Sequence, residues 1–229
     1  NFDAVTYTGN GSTKKIGGTI FSSGLTASAF NSGYEATKAF DGDTTNTRAL
    51  TPNNGYIAWS GTINDVNTIE FYRFGGNTDT TISVNGETAV NFPNASWTTV
   101  SFTGTTVTSF RVEATNNQNA VLSGVRVNGT VLIDGDGSTF SFSPDLLWIK
   151  QRNSTMDHAL WDSVRGITKE LYSNQSYAEG TATNKIQSLD ANGFTLKNNS
   201  VVNGSGDTYV AWTWNAGANS NKTYTVKVV

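Results

Sequence analysis

Few side chains in this 229-residue sequence can do chemistry, and their spacing narrows what that chemistry could be. His158 is the single histidine, with Asp157 beside it and Asp162 on the same face of an alternating strand. No nucleophile accompanies them, so a solvated or structural histidine fits better than a member of a catalytic triad. The carboxylates Asp145, Asp157, Asp162, Glu170 and Glu179 could supply a glycosidase pair. Such a pair needs two carboxyls about 5 Å or about 6.5–9.5 Å apart across a cleft, which spacing in sequence does not set. Cysteine is absent, and with it disulfides, thiolate zinc sites and cysteine nucleophiles. The remaining candidate is Asp41-Gly42-Asp43, two acids flanking a glycine. Calcium takes roughly six to eight oxygens, backbone carbonyls among them, and such a loop can curl its carbonyls inward while Asp41 supplies charge. The competing reading is a turn in which Asp41 bonds its own backbone and Gly42 takes positive φ.

The elements that must position these groups read as strands. Leu147 and Ile149 alternate with Trp148 and Lys150, the period of a half-buried strand, and Pro144 sits at its entry, where the missing N–H breaks no ladder bond. A second run, Ala159 to Val164, stops at Arg165-Gly166, and a third, Tyr209 to Trp214, places Val210, Trp212 and Trp214 on one face. These three runs are expected to pack on one another. For Trp212 and Trp214 core packing is the stronger reading against a sugar platform, because large aromatics dominate burial. Trp59, Trp97 and Trp161 are left open between the two.

Upstream, Phe2 to Thr8 reads as a strand closed by the turn Gly9-Asn10-Gly11-Ser12. From Ile20 to about Gly135, strand patterns recur at short spacing: Ile57–Trp59, Thr68–Phe74, Thr81–Val84, Ala89–Phe92, Thr98–Phe102, Ser109–Ala114 and Gly124–Val127. With three prolines and no long helical period, that pattern predicts a β-sandwich. Asn85-Gly86 and Asn128-Gly129 suit type I′ turns and predict tight hairpins. Phe110 and Val112 should face inward with Ile69 and Phe71, and Arg111 and Glu113 outward. Asp134 to Ser138 is a polar, Gly-rich connector that predicts a boundary between two cores.

Composition agrees with an exported β protein. Charged residues make up 14% and Gly numbers 23, so solubility rests on neutral Thr, Asn and Ser. A net charge of −3 gives no basic field for nucleic acid. No apolar run approaches the roughly 18 residues that span a bilayer, so membrane insertion is not expected. The sequence opens on Asn1 rather than Met, and the expectation is a fragment or processed product of a longer chain. Sequons such as those at Asn153 and Asn174 follow from an Asn-, Ser- and Thr-rich chain and carry no conclusion.

Two stretches resemble known families. FSPDLLWIKQR (142–152), HALWDSVRG (158–166), SLDANGFTL (188–196) and GDTYVAWTWNAG (206–217) resemble, in order and spacing, a domain of structural proteins of tailed bacteriophages, especially those of marine cyanobacteria and other aquatic bacteria. The phrase VTYTGNGST near the start is similar to the opening of such modules. That resemblance implies a virion component of the tail or tail-fibre class and no reaction. Gly33 to Thr45, GYEATKAFDGDTT, resembles the opening of discoidin-type modules with a galactose-binding-like jelly roll. This second resemblance implies a structural calcium ion, with Asp41 donating a carboxylate oxygen and Lys38, Asp43 and Thr45 offering backbone or hydroxyl oxygens, and it implies glycan binding. The sequence departs from that pattern in two ways. No Trp follows the Asp-Gly loop, Arg48 being the nearest candidate, and the loops show no Arg/His sugar clamp.

The expected fold class is therefore all-β, with two jelly-roll-like β-sandwich modules in tandem. Residues 1–19 form an N-terminal strand or linker, 20–135 the galactose-binding-like sandwich, 136–217 the phage-type sandwich and 218–229 a strand or linker to a following module. The function read from this is a non-enzymatic virion structural protein, a tail fibre or fibre-associated segment at the particle surface. Its expected partners are other virion proteins, further copies in a homotrimer, and host surface glycans. A tail-spike polysaccharide depolymerase, a capsid decoration protein and a secreted bacterial adhesin are the alternatives.

Overall fold

Alternation of apolar and polar side chains builds strands that pair into antiparallel sheets, and a computed structural model describes residues 1–75 and 79–217. The chain divides into two compact units, one of residues 19–135 and the other of residues 1–18 with 136–229. The changeover falls between Gly135 and Asp136.

In the 19–135 unit, a five-stranded sheet runs in the order Leu25–Ala27, Tyr56–Ile63, Val107–Ala114, Thr80–Val84, Val90–Asn91. A four-stranded sheet runs Thr130–Val131, Gly124–Val127, Ile69–Tyr72, Trp97–Thr99, and Asn119–Leu122 pairs with Ala49–Asn53. Ile57, Ile82, Phe110 and Val112 from the first sheet share one core with Ile69, Phe71 and Val125 from the second, so the unit is a β-sandwich. Phe71 meets Phe110 edge to face at 5.0 Å, and Trp59 stacks on the other side of Phe110 at 5.4 Å. The buried Trp59 indole N–H donates to Phe21 O at 2.9 Å, so burial leaves no orphan donor.

The two Asn-Gly turns part company. Asn128 and Gly129 take φ of 49° and 82°, and Val127 pairs with Thr130, giving the expected two-residue hairpin. Asn85 and Gly86 also have positive φ, but Ile82 pairs with Val90, so the turn opens a longer loop. The Asn85 side chain ties its turn to the adjacent strand: Oδ1 accepts the Thr108 N–H at 2.8 Å and Nδ2 donates to Thr106 O at 2.9 Å.

In the other unit, a four-stranded sheet runs Phe2–Thr8, Thr208–Trp214, Leu146–Gln151, Ala159–Asp162. The three runs expected to pack together are thus neighbours in one sheet. A three-stranded sheet, Ile186–Asp190, Gly193–Leu196 and Lys14–Ile16, shares its core. Residues 1–18, from the stretch 1–19 expected as a separate strand or linker, are instead built into this unit. Phe2–Thr8 pairs along its length with Thr208–Trp214, and Lys14–Ile16 pairs with Gly193–Leu196. The C-terminal strand or linker expected over 218–229 lies outside the described residues.

Trp212 and Trp214 correct the core assignment. Tyr209, Ala211 and Thr213 are the fully buried residues of that strand, so the period of two turns Trp212 and Trp214 to the half-exposed face. The inner face is claimed by the Tyr7–Tyr209 stack at 5.2 Å, whose hydroxyls donate to Val202 O (2.8 Å) and Ser200 O (2.6 Å). Both hydroxyls hold the one-turn helix Ser200–Asn203, which Asn199 caps by accepting the Val201 N–H. Trp161 is buried, Trp59 is buried, and Trp97 is half-buried with the Arg126 guanidinium 4.3 Å from its ring centroid.

Two outcomes follow from this packing. Arg126 donates to Glu70 across two paired strands at 2.6 Å, and this hydrogen bond holds the Glu70 carboxyl below its ordinary range. A depressed carboxyl contributes stability above its unfolded pKa and loses it as pH falls through the folded value. Glu70→Gln should therefore cost about 1 kcal/mol at neutral pH, and urea titrations should show that difference vanishing under acid conditions, below about pH 4. Deleting residues 1–9 strips one edge of Thr208–Trp214. Calorimetry should show a lowered transition for the unit containing 136–217 while that of 19–135 stays in place.

Candidate functional site

Arg48 precedes the strand Ala49–Asn53 and lies between two loops of the 19–135 unit. Its guanidinium carbon is 5.3 Å from the Tyr34 ring centroid and 5.9 Å from that of Phe74. Both rings are 37% exposed, unusual for large aromatics with a packed core beside them. Nη1 donates to Phe74 O at 3.3 Å, while Nε is buried with no hydrogen-bond partner among the described residues.

Backbone geometry makes this approach possible. Gly75 has φ of +79°, and a Cβ there would lie 2.7 Å from Arg48 Nη1, so a side chain would both strain the turn and displace the guanidinium. The Gly75 N–H donates to Asn94 Oδ1 at 2.7 Å and the Phe74 N–H to Ser123 Oγ at 2.9 Å, fixing the loop. Leu50 N–H donates to Tyr34 O at 3.1 Å and fixes the other wall. A planar cation flanked by two exposed rings can offer hydroxyl-directed donors and apolar faces together. The sequence shows no Arg/His clamp because Tyr34, Arg48 and Phe74 are far apart along the chain. Their convergence is tertiary.

The Asp41 loop lies nearby in sequence, after the 3-10 turn Ala36–Ala39 that carries Lys38. Asp41 Oδ1 accepts the Asp43 N–H at 3.0 Å and Gly42 takes φ of 83°, the hydrogen bonding of an Asx turn. Asp43 Oδ1 accepts the N–H groups of Thr45 and Asn46, each at 3.0 Å, and the Thr45 hydroxyl at 3.0 Å. Burial works to raise the Asp43 carboxyl pKa, but these donors outweigh it and hold the group below its usual range. Burial pushes the Asp134 carboxyl above its usual range. Asp134 is anchored by accepting the Ser22 N–H at 2.8 Å and by donating its own N–H to Phe40 O at 2.8 Å. Among the described residues no three His, Asp or Glu side chains converge as a metal cluster. An ion at this loop would lean on carbonyl and hydroxyl oxygens.

The open face of the five-stranded sheet carries a second feature, a groove of about 330 Å³ over Thr26, Ala58, Ser60, Ser83, Ser109 and Arg111. Arg111 lies flat over Tyr56, 4.0 Å from its centroid, and pairs with Glu113 at 3.2 Å. In the other unit, Trp148 contacts Trp212 at 5.2 Å and Trp214 at 6.4 Å, and Phe2 contacts Trp214 at 5.1 Å, an aromatic row on a half-exposed sheet face.

His158 accepts the Trp148 indole N–H at Nδ1 (2.9 Å), which places its own proton on Nε2 when neutral. Each carboxylate considered for acid–base work has its own partners. Asp162 caps the Val164 and Arg165 N–H groups and pairs with Arg165, Asp145 accepts from Ser163 Oγ and the Ala216 N–H, and Glu179 lies 3.7 Å from Lys169. Buried Glu170 accepts from Lys185 and Tyr172, while Asp157 accepts from Asn174 and Gln175.

A family described as a domain of unknown function, DUF7483, matches residues 128–228, under half of the chain. No curated protein matches the sequence. A solved pectin-binding carbohydrate-binding module aligns at 16% identity over 48% of this chain and 93% of its own, with a TM-score of 0.33. A likeness that slight carries no argument about fold or ligand, and the family match alone speaks to kinship: residues 128–228 are similar to DUF7483.

Proposed function

We propose that this chain is a non-enzymatic glycan-binding β protein, a tail-fibre or fibre-associated segment exposed on the surface of a tailed-phage virion. The observation that carries the glycan part is Arg48 held between the exposed rings of Tyr34 and Phe74. Sugar rings present apolar C–H faces and hydroxyl edges together, and this cluster offers an aromatic wall for the first and guanidinium donors for the second. The virion part is supported by the phrases of residues 142–217 that resemble phage structural proteins. Other virion proteins and further copies of the chain, as a homotrimer, are the partners that reading brings. The low charge of the surface supports neither nucleic acid nor a charged substrate as ligand. No helix among the described residues is long and apolar enough to cross a membrane.

Calcium belongs to the same proposal. Asp41 would supply a carboxylate oxygen, with Lys38, Asp43 and Thr45 giving carbonyl or hydroxyl oxygens. An ion there would brace the loop that leads to Arg48.

On an array of bacterial surface glycans, the intact chain should bind a defined subset, and Arg48→Ala should weaken that binding at least about tenfold, the loss of a charge-assisted contact of about 1.5–3 kcal/mol. Retention at Arg48→Ala and at Tyr34→Ala with Phe74→Ala would remove this site from the reading. Release of reducing ends from host polysaccharide would favour the depolymerase instead. Added calcium should raise the melting temperature with the logarithm of its concentration, and Asp41→Ala should abolish the rise. Light scattering should give a particle of three chains rather than one of 24.5 kDa.

A further inference from the structure

The polar turn between Leu146–Gln151 and Ala159–Asp162 does more than connect two strands. Thr155, Met156 and Asp157 from that turn, Tyr172, Lys185 and Val201 enclose a pocket of about 300 Å³, within a single unit. That lies at the lower limit of the roughly 300–1,000 Å³ that small ligands occupy.

One lining residue, Lys185, belongs to a buried ion pair. Glu170 is 1% exposed, and its carboxylate takes two bonds from Lys185 Nζ, at 2.6 and 2.7 Å, and one from the Tyr172 hydroxyl at 2.9 Å. A charge buried that deeply persists only because it is paired. An ammonium has three N–H donors, and beyond Glu170 the Lys185 Nζ has no oxygen or nitrogen partner among the described residues. Asp157, another lining residue, accepts at Oδ1 from both Asn174 Nδ2 and Gln175 Nε2, each at 2.8 Å, which leaves Oδ2 without a protein donor among the described residues. The same two amides hold the turn in place, since Asn174 Oδ1 also accepts the His158 N–H at 2.9 Å. Tyr172, Met156 and Val201 supply the apolar walls.

The charges decide what fits. Glu170 already neutralises Lys185, and Asp157 repels an anion. A neutral molecule that accepts at one edge, donates at another and presents C–H surface between them satisfies every group. We infer that this pocket is a second saccharide-binding site, sized for one pyranose ring, separate from the Arg48 cluster. With two sites on one chain, a branched or repeating surface glycan would be held by avidity rather than by one strong contact.

Met156, the only methionine of the sequence, lines the pocket and serves as its reporter. In the intact chain labelled at the methionine methyl, titration with methyl pyranosides of glucose, galactose and mannose should move that single resonance saturably, with a millimolar dissociation constant for at least one of them. Asp157→Asn keeps Oδ1 and its two amide bonds but replaces the free acceptor with a donor, and it should weaken that binding at least tenfold. Val201→Trp should fill the cavity and abolish it. Arg48→Ala should leave it unchanged, so failure here and failure at the Arg48 cluster are read separately. The proposal is overturned if none of the three pyranosides gives a saturable shift, or if the shift survives intact in both Asp157→Asn and Val201→Trp while their folded spectra match the parent.

Discussion

The antiparallel ladder between Phe2–Thr8 and Thr208–Trp214 is the constraint on which one whole unit depends. It joins the first strand of the sequence to a strand some two hundred residues later, at a large loop-closure cost that grows only slowly with the length enclosed. Its register decides the rest. With Tyr7 opposite Tyr209, both rings turn inward and their hydroxyls hold the helix Ser200–Asn203. With Ala4 opposite Trp212 and Phe2 opposite Trp214, the tryptophans turn outward. The Gly9 turn is then fastened to the returning chain: Gly9 N–H donates to Asp207 O and Gly206 N–H to Gly9 O. Gly9 leaves no room for a side chain, since a Cβ would meet Gly204 O at 2.1 Å.

Both units place their charges sparingly. Few charges are available, and most of those near a core are committed to a partner: Glu70 to Arg126, Glu170 to Lys185, Asp162 to Arg165. Neutral polar groups do the remaining work. Asn85, Asn128 and Asn203 each bond backbone groups of distant segments, doing for loops what ladder bonds do for strands. Groups that could engage a ligand therefore stand out, because so few are left over. Arg48, with one buried nitrogen unpartnered among the described residues, and the pocket lined by Lys185 and Asp157 are two places where donors and acceptors stand beside aromatic surface.

Local pattern made much of the architecture legible. Period-two alternation identified the strands at Leu147–Lys150, Phe110–Ala114 and Ile69–Phe71 and assigned their faces, because a strand with one buried face leaves that signature wherever it sits. Asn128-Gly129 was readable for the same reason: positive φ at both positions is a local demand that Asn and Gly meet cheaply. The Asp41 turn was visible in its spacing, and the structure shows the backbone bonds that such spacing makes.

Sequence alone thus determined the all-β class, the lack of thiol chemistry and the faces of individual strands, all consequences of local stereochemistry and composition. It did not determine which face of Thr208–Trp214 is the inner one, since Val210, Trp212 and Trp214 alternate as regularly as Tyr209, Ala211 and Thr213. Only the tertiary structure decided that, because the stacked tyrosines with bonded hydroxyls occupy the side that packs against the helix. Arg48 between Tyr34 and Phe74, and the pocket lined by Lys185 and Asp157, likewise exist only once distant loops are brought together by sheets whose pairings span most of the chain.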